Sequence, residues 1–343
     1  MAYSAISKSS LHFNTVAWTG TSSSPLNVTG YGFQPDLIWN KYRAGAGDHQ
    51  LYDAVRTATK MLIPNGTNAE STNANGVTAF ITDGYTVGSD LNVNGGNSVG
   101  WGWKANGSGS SNGNGSISST VSANTTAGIS IVSYTGTGSN ATIGHGLGVA
   151  PKVILTKVLG TTQNWFVFHK SLFDTGSDRI LNLNSSDAYA SGSTIFQSTA
   201  PTNSVFSVGT SFTAHDYIAY CFAEVKGFSS FGSYKGNGGT DGAFIYTGFK
   251  PAFVIIKNTA ASQNWTMNDN KNLGYNPDNN ILFPNTNGAE NTGDNMDLLS
   301  NGFKIRWNDG VNNTNGQNYI YMAFAEEPFV ANVGSNGIAA TAR

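Results

Sequence analysis

Short apolar runs bounded by turn residues recur along the whole chain. The runs hold about four to eight residues, are rich in Val, Ile, Phe, Tyr and Trp, and end at clusters of Gly, Asn, Pro and Asp. This pattern is typical of β-strands joined by tight turns, whereas an amphipathic helix would place apolar residues three and four positions apart. The pattern therefore predicts an all-β fold.

Three of these runs are near-copies of one another. They are "GFQPDLIWNK" from Gly32, "GVAPKVILTK" from Gly148 and "GFKPAFVIIKN" from Gly248. In each copy a proline stands 15 residues after a glycine that closes an aromatic strand, and a lysine follows the proline by 6 residues. The prolines are Pro35, Pro151 and Pro251, and the lysines are Lys41, Lys157 and Lys257. Equal spacing in three places predicts a repeated folding unit.

Each copy also closes on an aromatic strand. The strands are "SVGWGWKA", "YIAYCFAE" and "YIYMAFAE", with Trp103, Phe222 and Phe324 in matching places. We predict three tandem β-sandwich repeats of jelly-roll type, each about 100 residues long. These are the first segment (11–105), the second segment (128–226) and the third segment (227–329). For the residues outside these segments we predict an N-terminal arm (1–10), a Gly/Ser/Asn-rich linker or surface loop (106–127) and a C-terminal arm (330–343).

The two connections between segments differ in length. The second and third segments are joined only by "VKGFSSFGSY", while about two dozen polar residues separate the first segment from the second. This difference predicts a rigid pair of segments with the first segment tethered to it.

Composition limits the classes of partner. Only 11% of the 343 residues are charged, the net charge is −2 and no run of like charges occurs, so we expect no nucleic-acid partner. No apolar stretch is long enough for a signal peptide or a membrane span, which predicts no membrane insertion. The single cysteine, Cys221, lies among apolar residues and reads as a small core side chain.

No motif points to catalysis, a metal or a cofactor. The five histidines are scattered without metal-ligand spacing, and we predict that the chain is not an enzyme. The loop "NTGDNMD" (291–297) is where a calcium ion would find oxygen ligands. Candidate carboxylates for a glycosidase in the first segment are Asp48, Asp53, Glu70 and Asp83. The aligned positions of Asp48 and Asp83 hold Asn264 and Asn301 in the third segment, which disfavours a catalytic pair.

Three residues are candidates for a binding site. "QNW" ends at Trp165 and at Trp265, each 8 residues after its lysine, and His49 holds that place in the first segment. A tryptophan in such a loop can carry a sugar ring, or it can cap the edge of a sandwich. For the three repeated lysines we expect the stem to cover apolar surface while the ammonium reaches solvent or a carboxylate.

The phrases "HGLGVAPKVILTK", "YIAYCFAEVKGFSSFGSYKGNGGTDGAFIYTGF" and "YIYMAFAEEPF" resemble the repeated domain of structural proteins of tailed bacteriophages, which are usually described as tail or tail-fibre components. The likeness covers nearly the whole chain, and the first segment departs from it at "GAGDHQ". The resemblance implies a virion protein, assembled in the host cytoplasm, whose partners are copies of itself and other virion proteins.

Within the virion the resemblance leaves three roles open. The leading expectation is a tail-fibre or tail-tip component that contributes to host-surface attachment, with cell-surface polysaccharide as a further partner. The alternative is a capsid-surface decoration (cement) protein, and the third is a polysaccharide depolymerase.

Overall fold

The computed structural model describes residues 6–92, 94–271, 276, 280–293 and 295–328. Strands hold 44% of the residues and helices 4%, which confirms the all-β prediction. The C-terminal arm predicted at 330–343 lies outside the described residues. The described part of the N-terminal arm is packed against the body, because Ile6 is buried in the core and a 3-10 helix follows at Ser9–Leu11.

The strands follow the predicted apolar runs closely. The first segment contains β1 (Phe13–Thr19), β2 (Leu26–Thr29), β3 (Leu37–Tyr42), β4 (Gln50–Asp53), β5 (Lys60–Met61), β6 (Ser71–Thr72), β7 (Val77–Ile81), β8 (Gly84–Val87) and β9 (Asn97–Trp103). Between the first and second segments lie β10 (Ser110–Asn112) and β11 (Ser119–Asn124).

The remaining elements belong to the second and third segments. The second segment contains β12 (Ile129–Thr135), β13 (Ala141–Gly144), β14 (Val153–Val158), β15 (Phe166–His169), α1 (Lys170–Phe173), β16 (Arg179–Asn182), β17 (Ala190–Ser191), α2 (Ser193–Phe196), β18 (Val205–Val208) and β19 (Asp216–Phe222). The third segment contains β20 (Ser229–Lys235), β21 (Phe244–Tyr246), β22 (Phe249–Asn258), β23 (Thr266–Asp269), β24 (Met296–Leu299), β25 (Gly302–Ile305) and β26 (Asn318–Pro328).

The same strand order occurs in all three segments. A main sheet places the first, last, third and fourth strands side by side, as β1-β9-β3-β4, β12-β19-β14-β15 and β20-β26-β22-β23. A smaller outer sheet pairs the second strand with the next-to-last, as β2-β8-β7, β13-β18 and β21-β25-β24. All of these pairs are antiparallel. This recurrence supports the division into three repeats, which remains an interpretation.

The register of the main sheets also recurs. The closing rings Trp103, Phe222 and Phe324 stand directly opposite Leu37, Val153 and Phe253. Each of these three partners lies two residues after a repeated proline. Residues at corresponding register positions in the three segments are called equivalent from here on.

The residues between the first and second segments are not a linker or a loop, contrary to the expectation. Strand β11 pairs along its whole length with β12, and β10 pairs with β11, so the main sheet of the second segment grows outward from β12. Backbone ladders need no apolar side chains, and Ser and Thr are compatible with an edge position. The polar composition of 106–127 therefore hid two strands.

The central strands of the main sheets are buried on both faces. Burial is unbroken along β14 and along β22. One face packs on the outer sheet of the same segment, and the other face packs on the main sheets of the other two segments. The runs "KVILT" and "AFVII" are continuously apolar, rather than alternating, because neither face meets water.

The three segments share one core. Trp103, Phe222 and Phe324 meet as a ring cluster, here called the centre, with ring centroids 5.6 Å (Trp103–Phe324), 5.8 Å (Phe222–Phe324) and 6.3 Å (Trp103–Phe222) apart. One contiguous apolar cluster contains these rings together with buried residues of every segment. The expectation of a tethered first segment is therefore wrong, since its closing ring is part of the common core.

Candidate functional site

Backbone hydrogen bonds join the three segments at three inter-segment contacts, here called seams. Together the seams form a closed cycle. The amide of Glu70 donates to the carbonyl of Leu159, Tyr189 to Thr259, and Glu290 to Arg43, at 2.8–2.9 Å. The first segment thus contacts the second, the second the third, and the third the first, through equivalent positions each time. A cycle of this kind leaves no segment at a free end.

The repeated lysines fasten the same seams. Their side chains are at most 1% exposed, and each ammonium donates to a carbonyl of the neighbouring segment: Lys41 to Asn287 at 3.4 Å, Lys157 to Thr67 at 3.1 Å and Lys257 to Ser186 at 3.1 Å. Burial lowers the pKa of all three to about 8. We expected these ammonium groups to reach solvent or a carboxylate, and that expectation is wrong: they donate to backbone carbonyls at buried seams.

The three candidate binding residues are buried in these seams as well. Trp165 is 0% exposed and donates to the carbonyl of Ile63, and Trp265 is 4% exposed and donates to the carbonyl of Asn182. His49 is 0% exposed and accepts a hydrogen bond from the indole of Trp39. None of the three offers an exposed ring to a sugar, so of the two alternatives left open for these tryptophans the structure shows no sugar platform at either.

One set of equivalent positions carries a buried polar group at each seam, which is an aspartate in the first and third segments and a histidine in the second. Asp53 accepts from the hydroxyl of Tyr220 at 2.7 Å, and Asp269 accepts from the indole of Trp101 at 3.1 Å. The third equivalent residue is His169, which contacts the carbonyl of Tyr321 at 3.1 Å and accepts from the amide of Ser171 at 3.2 Å. Burial lowers the pKa of His169 to about 4, so this ring is neutral at pH 7.

The candidate glycosidase carboxylates each serve a local structural contact. Asp53 and Glu70 both bind the guanidinium of Arg56, at 2.5 Å and 3.0 Å. Asp83 accepts from the backbone amides of two turn glycines, and Asp48 accepts from Asn65. Asp53 and Glu70 thus share one buried arginine.

An apolar cavity of about 30 Å³ lies beside the centre. Side chains of all three segments line it, among them Trp39, Leu155, Ile255 and His169. A cavity of this size could hold a single water only if polar groups were turned towards it. Its apolar walls make it a packing defect rather than a ligand site.

A surface groove of about 420 Å³ runs along the seam between the first and third segments. Trp18, Asn97 and Arg43 line one side, and Lys271 and Glu290 line the other. The guanidinium of Arg43 already binds Asp269 at 2.5 Å and lies 3.5 Å from Glu290. The guanidinium of Arg43, which lines the groove, is therefore already paired with carboxylates of the third segment.

The exposed aromatic side chains are concentrated elsewhere, on the third segment. In the described part of the chain the three most exposed aromatic residues are Tyr246 at 57%, Trp307 at 48% and Phe244 at 46%. Phe244 and Tyr246 flank the buried Ile245 on the edge strand β21, so both rings stand on the outward face of the outer sheet. The alternation in "FIY" indicates such a strand, but the sequence did not show that its outer face stays bare.

Across the described residues no helix is long and apolar enough to span a membrane. Within the same residues no three His, Cys, Asp or Glu side chains are grouped so as to hold a metal ion. Asp294, in the loop considered for calcium, lies outside the described residues.

Comparison with known families gives one match. Residues 8–328 match a family described as a domain of unknown function (DUF7483), and the chain belongs to that family. A search of curated proteins finds no match. The family description assigns no activity, so the function has to be argued from the molecule itself.

Proposed function

We propose that the chain consists of three sandwich repeats closed into one rigid body, and that this body is a structural protein of a tailed-bacteriophage virion. Within the virion we propose a tail-fibre or tail-tip role that contributes to host-surface attachment. The phage setting rests on the sequence resemblance. The architectural role rests on the centre, where one ring from each segment packs against the other two.

The seams support an architectural role in a second way. The polar side chains buried there are engaged with neighbouring segments: the lysines with backbone carbonyls, Tyr220 with Asp53 and Arg43 with Asp269. Groups held in this way hold a body together, whereas a catalytic group must face a substrate. The proposed function is therefore binding and architecture without catalysis.

Purified virions of a phage that encodes the chain provide the test. Immunogold labelling with an antibody against the chain should decorate the tail, and gel densitometry should give a few to a few dozen copies per particle. Hundreds of copies with label over the head would support the capsid-decoration alternative instead. Absence of the chain from purified particles would refute both roles.

A depolymerase would be detected separately. The purified chain spotted on a lawn of encapsulated host cells should leave the capsule intact. A cleared halo would contradict the non-enzymatic proposal.

A further inference from the structure

The outer sheet of the third segment presents two aromatic rings side by side. Phe244 stands opposite Lys304 and Tyr246 opposite Gly302, and the next strand places Asp297 beside Lys304 and Leu299 beside Gly302. Side chains that stand opposite each other lie on the same face of a sheet. The row that begins with Tyr246 therefore crosses Gly302, where the backbone of β21 approaches so closely that a side chain would meet the carbonyl oxygen of Ile245.

The equivalent faces of the other segments are different. In the first segment Asn27 and Thr29 take the places of the two rings, and Asn27 accepts a hydrogen bond from Thr86 at 2.8 Å. In the second segment Thr142 takes the place of Phe244, and the chain itself pairs with the edge of that strand, because Ile117 bridges to Ile143 and Ser116 bonds to Thr142. In the described part of the chain, only the third segment places large aromatic rings on the exposed face of this strand.

The polar groups around the two rings are balanced in charge. Lys304 binds Asp241 at 2.5 Å, and Arg306 binds Asp297 and also approaches Asp241 at 3.7 Å. Two cations and two carboxylates give a local net charge of zero. Such a rim supplies many hydrogen-bond donors and acceptors but attracts neither a polyanion nor a polycation.

The exposed area is small. A phenylalanine or tyrosine side chain has roughly 150–250 Å² of surface that can be buried. About half of that surface is exposed on each of these two rings. They offer roughly 200 Å² together, against about 800 Å² on each partner of a standard protein interface. The face is thus too small for a stable dimer and of suitable size for one or two sugar rings.

From these observations we infer that the Phe244/Tyr246 face is a binding site for neutral hexopyranose units of a polysaccharide. The C–H face of a pyranose packs on an aromatic ring, and its hydroxyl groups form hydrogen bonds with the ion-paired rim. The biological setting of this inference rests on the proposed attachment role. A single contact of this kind is weak, and several copies of the chain on one particle would raise the overall avidity.

Affinity electrophoresis of the purified chain tests the inference, with dextran and galactomannan as neutral polysaccharides in the gel and alginate as the anionic comparison. The loss variant is F244N/Y246T, which installs the residues found at the equivalent places of the first segment. The matched control is N27A/T29A on that first segment, and Phe244→Tyr is the conservative variant that keeps a ring. Unchanged thermal melting of each variant shows that the fold is retained.

We expect at least one neutral polysaccharide to retard the wild-type chain, N27A/T29A and Phe244→Tyr alike. F244N/Y246T should bind it about tenfold more weakly. Equal retardation of F244N/Y246T, retardation by alginate alone, or no retardation of the wild type would each overturn the inference.

Analytical ultracentrifugation distinguishes sugar binding from self-association at this face. If the wild type dimerises and F244N/Y246T is monomeric, the occupant of the face is a second copy of the chain rather than a sugar. Presence of the chain in the virion is measured independently, so loss of sugar binding would leave the structural role standing.

Discussion

The centre of the molecule and its three outer sheets both consist of equivalent positions from the three segments. The two regions differ in how much the residue type varies among those positions. At the centre every segment contributes a large ring, which is Trp103, Phe222 or Phe324. On the outer sheets the equivalent positions hold Asn27, Thr142 and Phe244. The positions at the centre all hold large rings, whereas the equivalent positions on the outer sheets differ in size and chemistry.

Packing explains this difference. A ring at the centre touches the equivalent rings of two other segments, so any change in its volume must be accommodated by three sheets at once. A side chain on an outer sheet has water as its neighbour and can change at little cost in stability. The restricted region holds the body together, and the variable region is where a segment can acquire a binding function.

Truncating a ring at the centre should give the largest effect. Phe222→Ala removes a fully buried ring and leaves a cavity, with an expected loss of about 3–5 kcal/mol in the free energy of unfolding. Because the core is shared, Trp103→Ala and Phe324→Ala should lower the same calorimetric transition of the whole protein. The matched control is Phe206→Ala, whose ring is buried inside the second segment only. Two wild-type transitions, with Trp103→Ala affecting one alone, would show that the first segment unfolds independently.

Acid should weaken the seam that contains His169. The folded-state pKa of His169 is about 4 and its ordinary value is 6.5, so the unfolded chain binds more protons between these two values. The contribution of His169 to stability is therefore complete above pH 6.5 and is lost as the pH falls towards 4, by about 3 kcal/mol in total.

His169→Gln isolates this contribution. Burial raises the pKa of Glu290 and of Asp309, and these two carboxyl groups act in the opposite direction, since their contribution is lost as the pH rises. We therefore compare urea unfolding of the wild type and of His169→Gln at pH 7.5 and at pH 4.5. The contributions of Glu290 and Asp309 are common to both proteins and cancel in the difference. If the two proteins lose equal stability on acidification, His169 is not the group responsible.

Removing a seam lysine should have an intermediate effect. Lys257→Met keeps the apolar stem but leaves the carbonyls of Ser186, Asn258 and Ala261 without this donor. We expect a loss of about 1–3 kcal/mol, the usual cost of an unsatisfied buried acceptor. Denaturant unfolding measures the loss, and Lys235→Met, on the third segment but on an edge strand, is the comparison. If Lys257→Met were more stable than the wild type, the desolvation of the ammonium would destabilise the fold by more than its three hydrogen bonds stabilise it.

The outer rings should matter least for stability. F244N/Y246T changes two side chains that are about half exposed, and we expect a shift within about 0.5 kcal/mol. Thermal melting at neutral pH checks this value. A shift as large as that of Phe222→Ala would remove the distinction between the centre and the outer sheet.

Part of the fold could be predicted from local sequence. The pattern and composition of the apolar runs predicted strands such as β14 and β22. The constant spacing, as from Pro151 to Lys157, predicted which residues occupy the same place in the three segments. The same reasoning failed at 106–127, because a backbone ladder such as β11 with β12 leaves no mark on polar side chains. It left Trp165 and Trp265 undecided between a sugar platform and a cap, because a tryptophan that is buried between segments and one that faces solvent have the same local sequence.

The sequence alone determined that the apolar runs form strands and predicted which positions correspond, since both follow from short-range periodicity and fixed spacing. Only the tertiary structure decided which face of each strand meets water. The ammonium of Lys257 is buried because a second segment supplies its carbonyl partner, and Tyr246 is exposed because it stands on the outward face of the edge strand β21. Burial is a property of the neighbours that the whole fold brings together, and those neighbours lie dozens to hundreds of residues away in the chain.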